Sequence, residues 1–132
     1  MKRSPLLIAA ILALAVLAAP KAPEQPKKPD IIGTWTGYAI APGMRFLDLV
    51  AVFDKGEAGY TGKLSDTSGA LADTPLREIV FKDGTLTFEF DLFMGTDPML
   101  IKIELVLENE ALKGHWFDVE GNSDVVELTL KK

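Results

Sequence analysis

The sequence predicts an all-β fold: an eight-stranded antiparallel up-and-down barrel, or a flattened barrel or sandwich of the same strands. Three observations carry this prediction. Apolar and polar residues alternate with a period of two after residue 30, turn-forming residues separate the alternating segments, and no segment there has a helical period. Because successive strand residues point to opposite faces, such segments bury one face and expose the other, as antiparallel sheets do.

The alternation is clearest at residues 86–92, 101–107 and 126–130. Turn chemistry then sets the boundaries, because Gly84 and Asn109 belong to residue types that accept the backbone conformations of tight turns. The predicted strands are residues 31–40, 45–53, 59–66, 76–82, 85–93, 100–107, 111–119 and 124–131. Short connections between them favour a meander, and closure of that meander into a barrel removes both exposed sheet edges.

The first 18 residues have the pattern of a secretory signal peptide. Lys2 and Arg3 precede an apolar run at residues 6–17, and Ala18 provides the small residue expected before the cleavage point. The apolar run is shorter than the about 20 residues that cross a bilayer. We therefore expect export, a periplasmic or secreted location, and no stable membrane span after signal cleavage.

Residues 19–30 form a proline-rich spacer, and residues 31–132 form the barrel domain. Cleavage removes two basic residues, which lowers the formal net charge of −5 by two, to −7. An acidic domain repels phosphate backbones, so no nucleic-acid partner is expected.

No catalytic residue, metal site or cofactor is predicted. The chain has no cysteine, which excludes disulfides, thiolate metal sites and thiol nucleophiles. His115 is the single histidine and falls on the polar face of its strand, and no Gly-x-Ser-x-Gly motif is present. Acidic residues between Asp118 and Asp124 could supply oxygen ligands to Ca²⁺, but turn chemistry explains that composition equally well; we predict a turn.

The connections of a meander alternate between its two ends. One end receives short charged turns, whereas the other receives the longer segments at residues 41–44, 67–75, 94–99 and 120–123. The long-loop end carries every methionine after the initiator, together with an apolar leucine: Met44, Met94, Met99 and Leu71. Methionine is flexible and polarizable, which suits surfaces that adapt to a partner.

The motif Gly33-Thr34-Trp35 in the first strand resembles that of the lipocalin and wider calycin families. The segments at residues 59–66, 83–88 and 112–116 are similar to those of lipocalin-like domains of exported bacterial proteins. The resemblance implies a small β-barrel with Trp35 across its closed, short-turn end. It does not imply an activity, and the Thr-Asp-Tyr motif of the lipocalin middle hairpin is missing.

Two functions of different class follow. In the first, the protein is a non-catalytic carrier of a small apolar molecule. Its predicted ligand-binding residues are Met44, Leu71, Met94, Met99 and Trp116. In the second, the core is filled by its own side chains, and the loop end serves as a protein-interaction or accessory module of the bacterial envelope. The interior of an eight-stranded barrel is just wide enough to be filled by its own side chains or to hold one small ligand.

Overall fold

A computed structural model describes residues 30–93, 95 and 97–132; the predicted signal peptide and nearly all of the predicted spacer lie outside the described residues. The described chain consists of antiparallel strands joined by turns. No helix in this part of the chain is long and apolar enough to cross a membrane. The nine strands are β1 (Gly33–Ala41), β2 (Arg45–Gly56), β3 (Gly59–Asp66), β4 (Thr74–Pro75), β5 (Arg77–Lys82), β6 (Thr85–Phe93), β7 (Pro98–Glu108), β8 (Ala111–Asp118) and β9 (Ser123–Leu130).

The strands form one sheet in the order β4-β3-β2-β1-β9-β8-β7-β6-β5, so the first and last strands of the chain are neighbours. The sheet curls until its two edge strands, β4 and β5, are separated along the chain by Leu76 alone. The Leu76 N–H donates to the Gly62 carbonyl on β3 at 2.9 Å, which continues the β3–β4 pairing by one residue. The result is a nearly closed antiparallel barrel. The predicted all-β up-and-down architecture is confirmed.

The strand count is nine rather than eight. Thr74 and Pro75 pair with β3, inside the predicted loop at residues 67–75. Proline cannot donate a ladder hydrogen bond, and it is tolerated here because β4 is an edge strand. β7 begins at Pro98, two residues before the predicted start at residue 100. The first position of a strand also tolerates proline.

The inward face of the barrel is apolar and tightly filled at the short-turn end. Trp35 is only 1% exposed, and its indole N–H donates to the Ile31 carbonyl at 2.8 Å. Phe53 and Phe88 meet edge to face, with ring centroids 5.6 Å apart. Fully buried side chains around them complete this closed end: Leu86, Leu105, Leu112 and Leu128.

Two inward-facing glycines allow neighbouring strands to approach very closely. A Cβ at Gly37 would lie 1.9 Å from the Glu127 carbonyl oxygen on β9, and a Cβ at Gly114 would lie 1.9 Å from the Glu104 carbonyl oxygen on β7. Glycine within a strand commonly marks such close backbone approach. The curvature that closes the barrel therefore depends on the absence of a side chain at both positions.

Replacement of Trp35 by alanine is expected to lower the free energy of unfolding by about 3–5 kcal/mol, the usual range for a large aromatic lost from a core. Denaturant unfolding measures this change. Phe117→Ala removes an outward aromatic that is 42% exposed and should cost much less. Equal, small shifts in both variants would contradict the role of Trp35 at the closed end.

Gly37→Ala and Gly114→Ala should each destabilise the fold by about 3 kcal/mol or more, because the backbone of an adjacent strand must move. Gly56→Ala is the matched control, since a Cβ there meets nothing closer than the Gly59 carbonyl oxygen at 3.8 Å. That control should change stability by no more than about 0.5 kcal/mol. Chemical denaturation of the three variants tests the close approach, and an unaffected Gly37→Ala would refute it.

Candidate binding cavity

The end of the barrel opposite Trp35 is hollow. The β1–β2, β3–β4, β6–β7 and β8–β9 connections gather at this end, as the meander order requires. Beneath them lies a cavity of about 360 Å³. Most of its lining is apolar: Ala39, Ala41, Pro42, Leu47, Leu49, Leu64, Ala70, Leu71, Phe90, Leu92, Met99, Ile101, Ile103 and Trp116.

The hollow results from small side chains on β1. Its inward positions after Trp35 are Gly37, Ala39 and Ala41, so the volume contributed by this strand falls sharply toward the loop end. The strands opposite supply leucine, isoleucine and phenylalanine, which do not reach across the space. A packed core requires complementary volumes from facing strands, and β1 does not provide them here.

Trp116 forms one wall of the cavity. Its strand, β8, pairs with both β7 and β9, which holds the residue opposite Ile103 and Asp124. The indole N–H donates to the Ile40 carbonyl at 2.8 Å, on β1, which lies on the other side of β9. Because its polar atom is already paired, Trp116 contributes apolar ring surface to the cavity.

Leu71 is held over the cavity by Asp66, at the end of β3. The Leu71 N–H donates to Asp66 Oδ1 at 2.8 Å, and the Asp66 N–H donates to the Leu71 carbonyl at 3.0 Å. Burial favours a higher pKa for the Asp66 carboxyl, but hydrogen bonds from the Ser68 side chain and from backbone N–H groups of Leu71, Ser68 and Gly69 together lower that pKa. Asp66 is thus an ionised loop anchor, and Leu71 is only 5% exposed.

Asp118 organises the β8–β9 turn at the cavity rim. Its carboxylate accepts hydrogen bonds from the Asn122 side-chain amide at 2.9 Å, the Asn122 backbone N–H at 2.8 Å and the Glu120 backbone N–H at 2.9 Å. The Asn122 side chain is the main cause of a lowered Asp118 pKa, and the backbone donors add to it against desolvation. No group of three or more candidate metal ligands occurs among the residues that the structure covers.

The structure brings three of the five predicted ligand-binding residues together. Leu71, Met99 and Trp116 line the cavity. Met44 does not: it sits in the β1–β2 turn and is 74% exposed. Met94 lies outside the described residues.

Ala39, Ala41 and Arg45 line the cavity and are not among the predicted ligand-binding residues. The prediction rests on large apolar side chains, whereas a row of small residues at inward strand positions is itself a signal for empty space. Arg45 continues the inward row of β2 and lines the cavity rim.

A second depression, of about 370 Å³, lies on the outer face of β5–β8. It is more open to solvent than the cavity, and charged residues line much of it, including Glu78, Glu89, Lys102 and Glu104. His115 is also on the outer surface and exposed, as the alternation predicts. An apolar molecule is accommodated better inside the barrel.

The chain matches no protein-family model, no curated protein and no solved structure.

Asp118→Ala should lower the melting temperature at neutral pH, because the turn loses its acceptor. The pKa of Asp118 in the folded state lies below the ordinary aspartate value of 3.8. Its stabilisation is therefore present above the unfolded pKa and is lost as the pH falls through the folded pKa. Thermal melts of wild type and variant should converge at acidic pH.

Glu57→Ala, in the exposed turn between β2 and β3, is the control, since it removes one negative charge at the opposite end. It should leave the melting temperature nearly unchanged at neutral pH. A difference between wild type and Asp118→Ala that does not shrink as the pH falls through the acidic range would contradict the electrostatic origin of the effect.

Proposed function

We propose that this protein is an exported, non-catalytic, lipocalin-like binding protein, periplasmic or secreted, that holds a small apolar molecule at the long-loop end of its barrel. The apolar cavity under those loops carries the proposal. Binding sites for small molecules are typically concave, apolar and about 300–1,000 Å³ in volume. The cavity, at about 360 Å³, is at the small end of that range.

The chemistry of the lining supports an apolar occupant. The Trp116 N–H is bonded to Ile40, and the Asp66 and Asp118 carboxylates are bonded within their own loops. The inner walls therefore offer mainly dispersion contacts and burial of apolar surface, at about 25 cal/mol for each Å² removed from water. Selectivity inside the cavity would come mostly from size and shape.

The lipocalin-like part of the proposal is supported by the arrangement of the two ends. Trp35 fills the end bearing short turns, and the cavity opens at the end bearing long connections. The apolar run at residues 6–17 supports export. A carrier that works outside the cytoplasm needs a means of export, which the predicted signal peptide would provide. It needs no catalytic group.

A second candidate function, an interaction module of the bacterial envelope, is favoured by a different observation. Large apolar side chains are exposed near the loop end, where soluble monomers usually keep such groups scattered. They are Met44 at 74%, Phe46 at 64%, Phe93 at 56% and Val119 at 73% exposure. A protein partner could cover them without using the cavity.

Filling the cavity tests the carrier function. Wild-type protein should bind one molecule of the neutral apolar dye N-phenyl-1-naphthylamine per chain. Ala39→Phe should weaken that binding at least tenfold, about 1.4 kcal/mol, because the new ring occupies the space. Fluorescence titration measures both. Folding is checked by circular dichroism, and Ala41→Leu provides a milder second filling variant.

Ala58→Phe, in the exposed β2–β3 turn, introduces the same ring at the opposite end and should leave dye binding unchanged. Undiminished binding by a folded Ala39→Phe variant would remove the cavity as the site. Native mass spectrometry of protein purified from its own host then separates the two functions. A retained small molecule supports the carrier, whereas a co-purifying protein with an empty barrel supports the module.

A further inference from the structure

Arg45 occupies an unusual position for a charged residue. It pairs with the buried Ala41 across the β1–β2 hairpin, and directly paired residues of antiparallel strands point to the same face. The inward row of β2 therefore runs from Phe53 through Ala51, Leu49 and Leu47 to Arg45. The row is apolar until its last member, which places a guanidinium at the mouth of the cavity.

Three acidic groups at the loop end of the barrel are engaged by hydrogen bonds within their own segments. Asp66 anchors Leu71, Asp118 holds the β8–β9 turn, and Asp124 accepts the Val125 N–H at 2.8 Å. Arg45 differs from them. None of the ion pairs or side-chain hydrogen bonds within residues 30–93, 95 and 97–132 includes its guanidinium, and Arg45 nevertheless lines the cavity.

Arg77 shows what an arginine does in this protein when its role is structural. It forms two hydrogen bonds with Asp91, at 2.9 and 3.1 Å, and lies 3.8 Å from Glu89. That pairing uses the fork geometry by which guanidinium groups recognise oxyanions. Arg45 has the same fork and a permanent charge, and no carboxylate within residues 30–93, 95 and 97–132 pairs with it in this way.

We propose that the ligand is an amphiphile with an oxyanion head group, a carboxylate or a phosphate, which pairs with Arg45 while its apolar tail occupies the cavity. This inference rests on the proposed carrier function and names the chemical class of its ligand. The apolar lining accounts for the tail. The Arg45 guanidinium, which no carboxylate of the described residues pairs with, accounts for the head group at the cavity mouth. The head group stays at the solvent boundary, so its charge is not fully desolvated.

The competing charge at the mouth is negative. Asp118 also lines the cavity and is ionised, and the chain as a whole is acidic. A cationic amphiphile is therefore the natural alternative occupant. Asp118 differs from Arg45 in that three hydrogen bonds fix its oxygens toward its own turn, whereas the guanidinium is available to a ligand. The test includes a cationic probe for this reason.

Four probes with the same ten-carbon tail separate head group from tail: decanoate, decyl phosphate, decanol and decylamine, each used below its micelle concentration. Binding is measured by displacement of N-phenyl-1-naphthylamine. Wild-type protein should bind decanoate or decyl phosphate at least tenfold more tightly than decanol. Added salt should reduce that preference, because screening weakens the head-group contact and leaves the tail contact unchanged.

Arg45→Gln should reduce oxyanion binding at least tenfold and leave decanol binding unchanged, while Arg45→Lys should retain part of the preference as a point charge. Arg77→Gln is the matched control and should change neither. Because Arg45 is exposed at the rim, Arg45→Gln and Arg45→Lys should keep the wild-type circular dichroism spectrum.

The outcomes distinguish this inference from the function on which it rests. Equal binding of decanol and decanoate, unaffected by Arg45→Gln, would overturn the oxyanion head group and leave the carrier function standing. Tightest binding of decylamine would also overturn it. Failure of all four probes to displace bound dye would refute the head-group inference, whereas failure of the dye itself to bind would remove the carrier function.

Discussion

Pairing between β1 and β9 is the constraint on which the rest of the structure depends. It runs from Trp35 opposite Leu130 to Ala39 opposite Val126, and so joins the two ends of the domain. Without it the meander would be an open sheet whose first and last strands expose unpaired backbone groups. The pairing is possible because Gly37 leaves room for the Glu127 carbonyl. It also joins residues far apart in sequence, a topology that folds slowly because loop closure precedes the contacts.

β1 also divides the barrel into a filled half and a hollow half. Its inward row begins with Trp35, which fills one end, and continues with glycine and alanine, which leave the other end hollow. The polar groups are divided in the same way. At the loop end, Asp66 and Asp118 satisfy backbone donors and hold the loops in place, so the cavity beneath them remains apolar. One strand and two turns thus account for both the position and the chemistry of the site.

The predictable features were those encoded by local patterns. The alternation of apolar and polar residues predicts the long strands, and turn residues such as Gly84 predict the hairpins. The meander order predicts that the long loops lie at one end of the barrel. The short β4 was missed because two residues cannot show a period. β5 departs from regular alternation, with Glu78 at φ +52° beside a shift in register. Leu71 was predictable from its place in a long connection, and Trp116 from its size on the apolar face of its strand. Met44 lies in the β1–β2 turn and is 74% exposed, because a turn between two strands has no inward face to place it on. The cavity itself depends on the summed volumes of inward side chains from several strands. The sequence does not show the register that brings those side chains to the same level of the barrel.

A hollow end costs stability, because side chains around a void lack contact atoms on one side. The chain has no disulfide to offset this, so the filled end around Trp35 supplies much of the packing that holds the barrel. A ligand in the cavity would restore the missing contacts and stabilise the folded state by linkage, about 2.7 kcal/mol at a concentration one hundred times its Kd. That gain falls on the loop end, where Asp66 and Asp118 hold exposed turns. If the proposed carrier function holds, occupancy and loop order are therefore coupled, because a ligand that filled the space left by Ala39 and Ala41 would also support the loops that cover it.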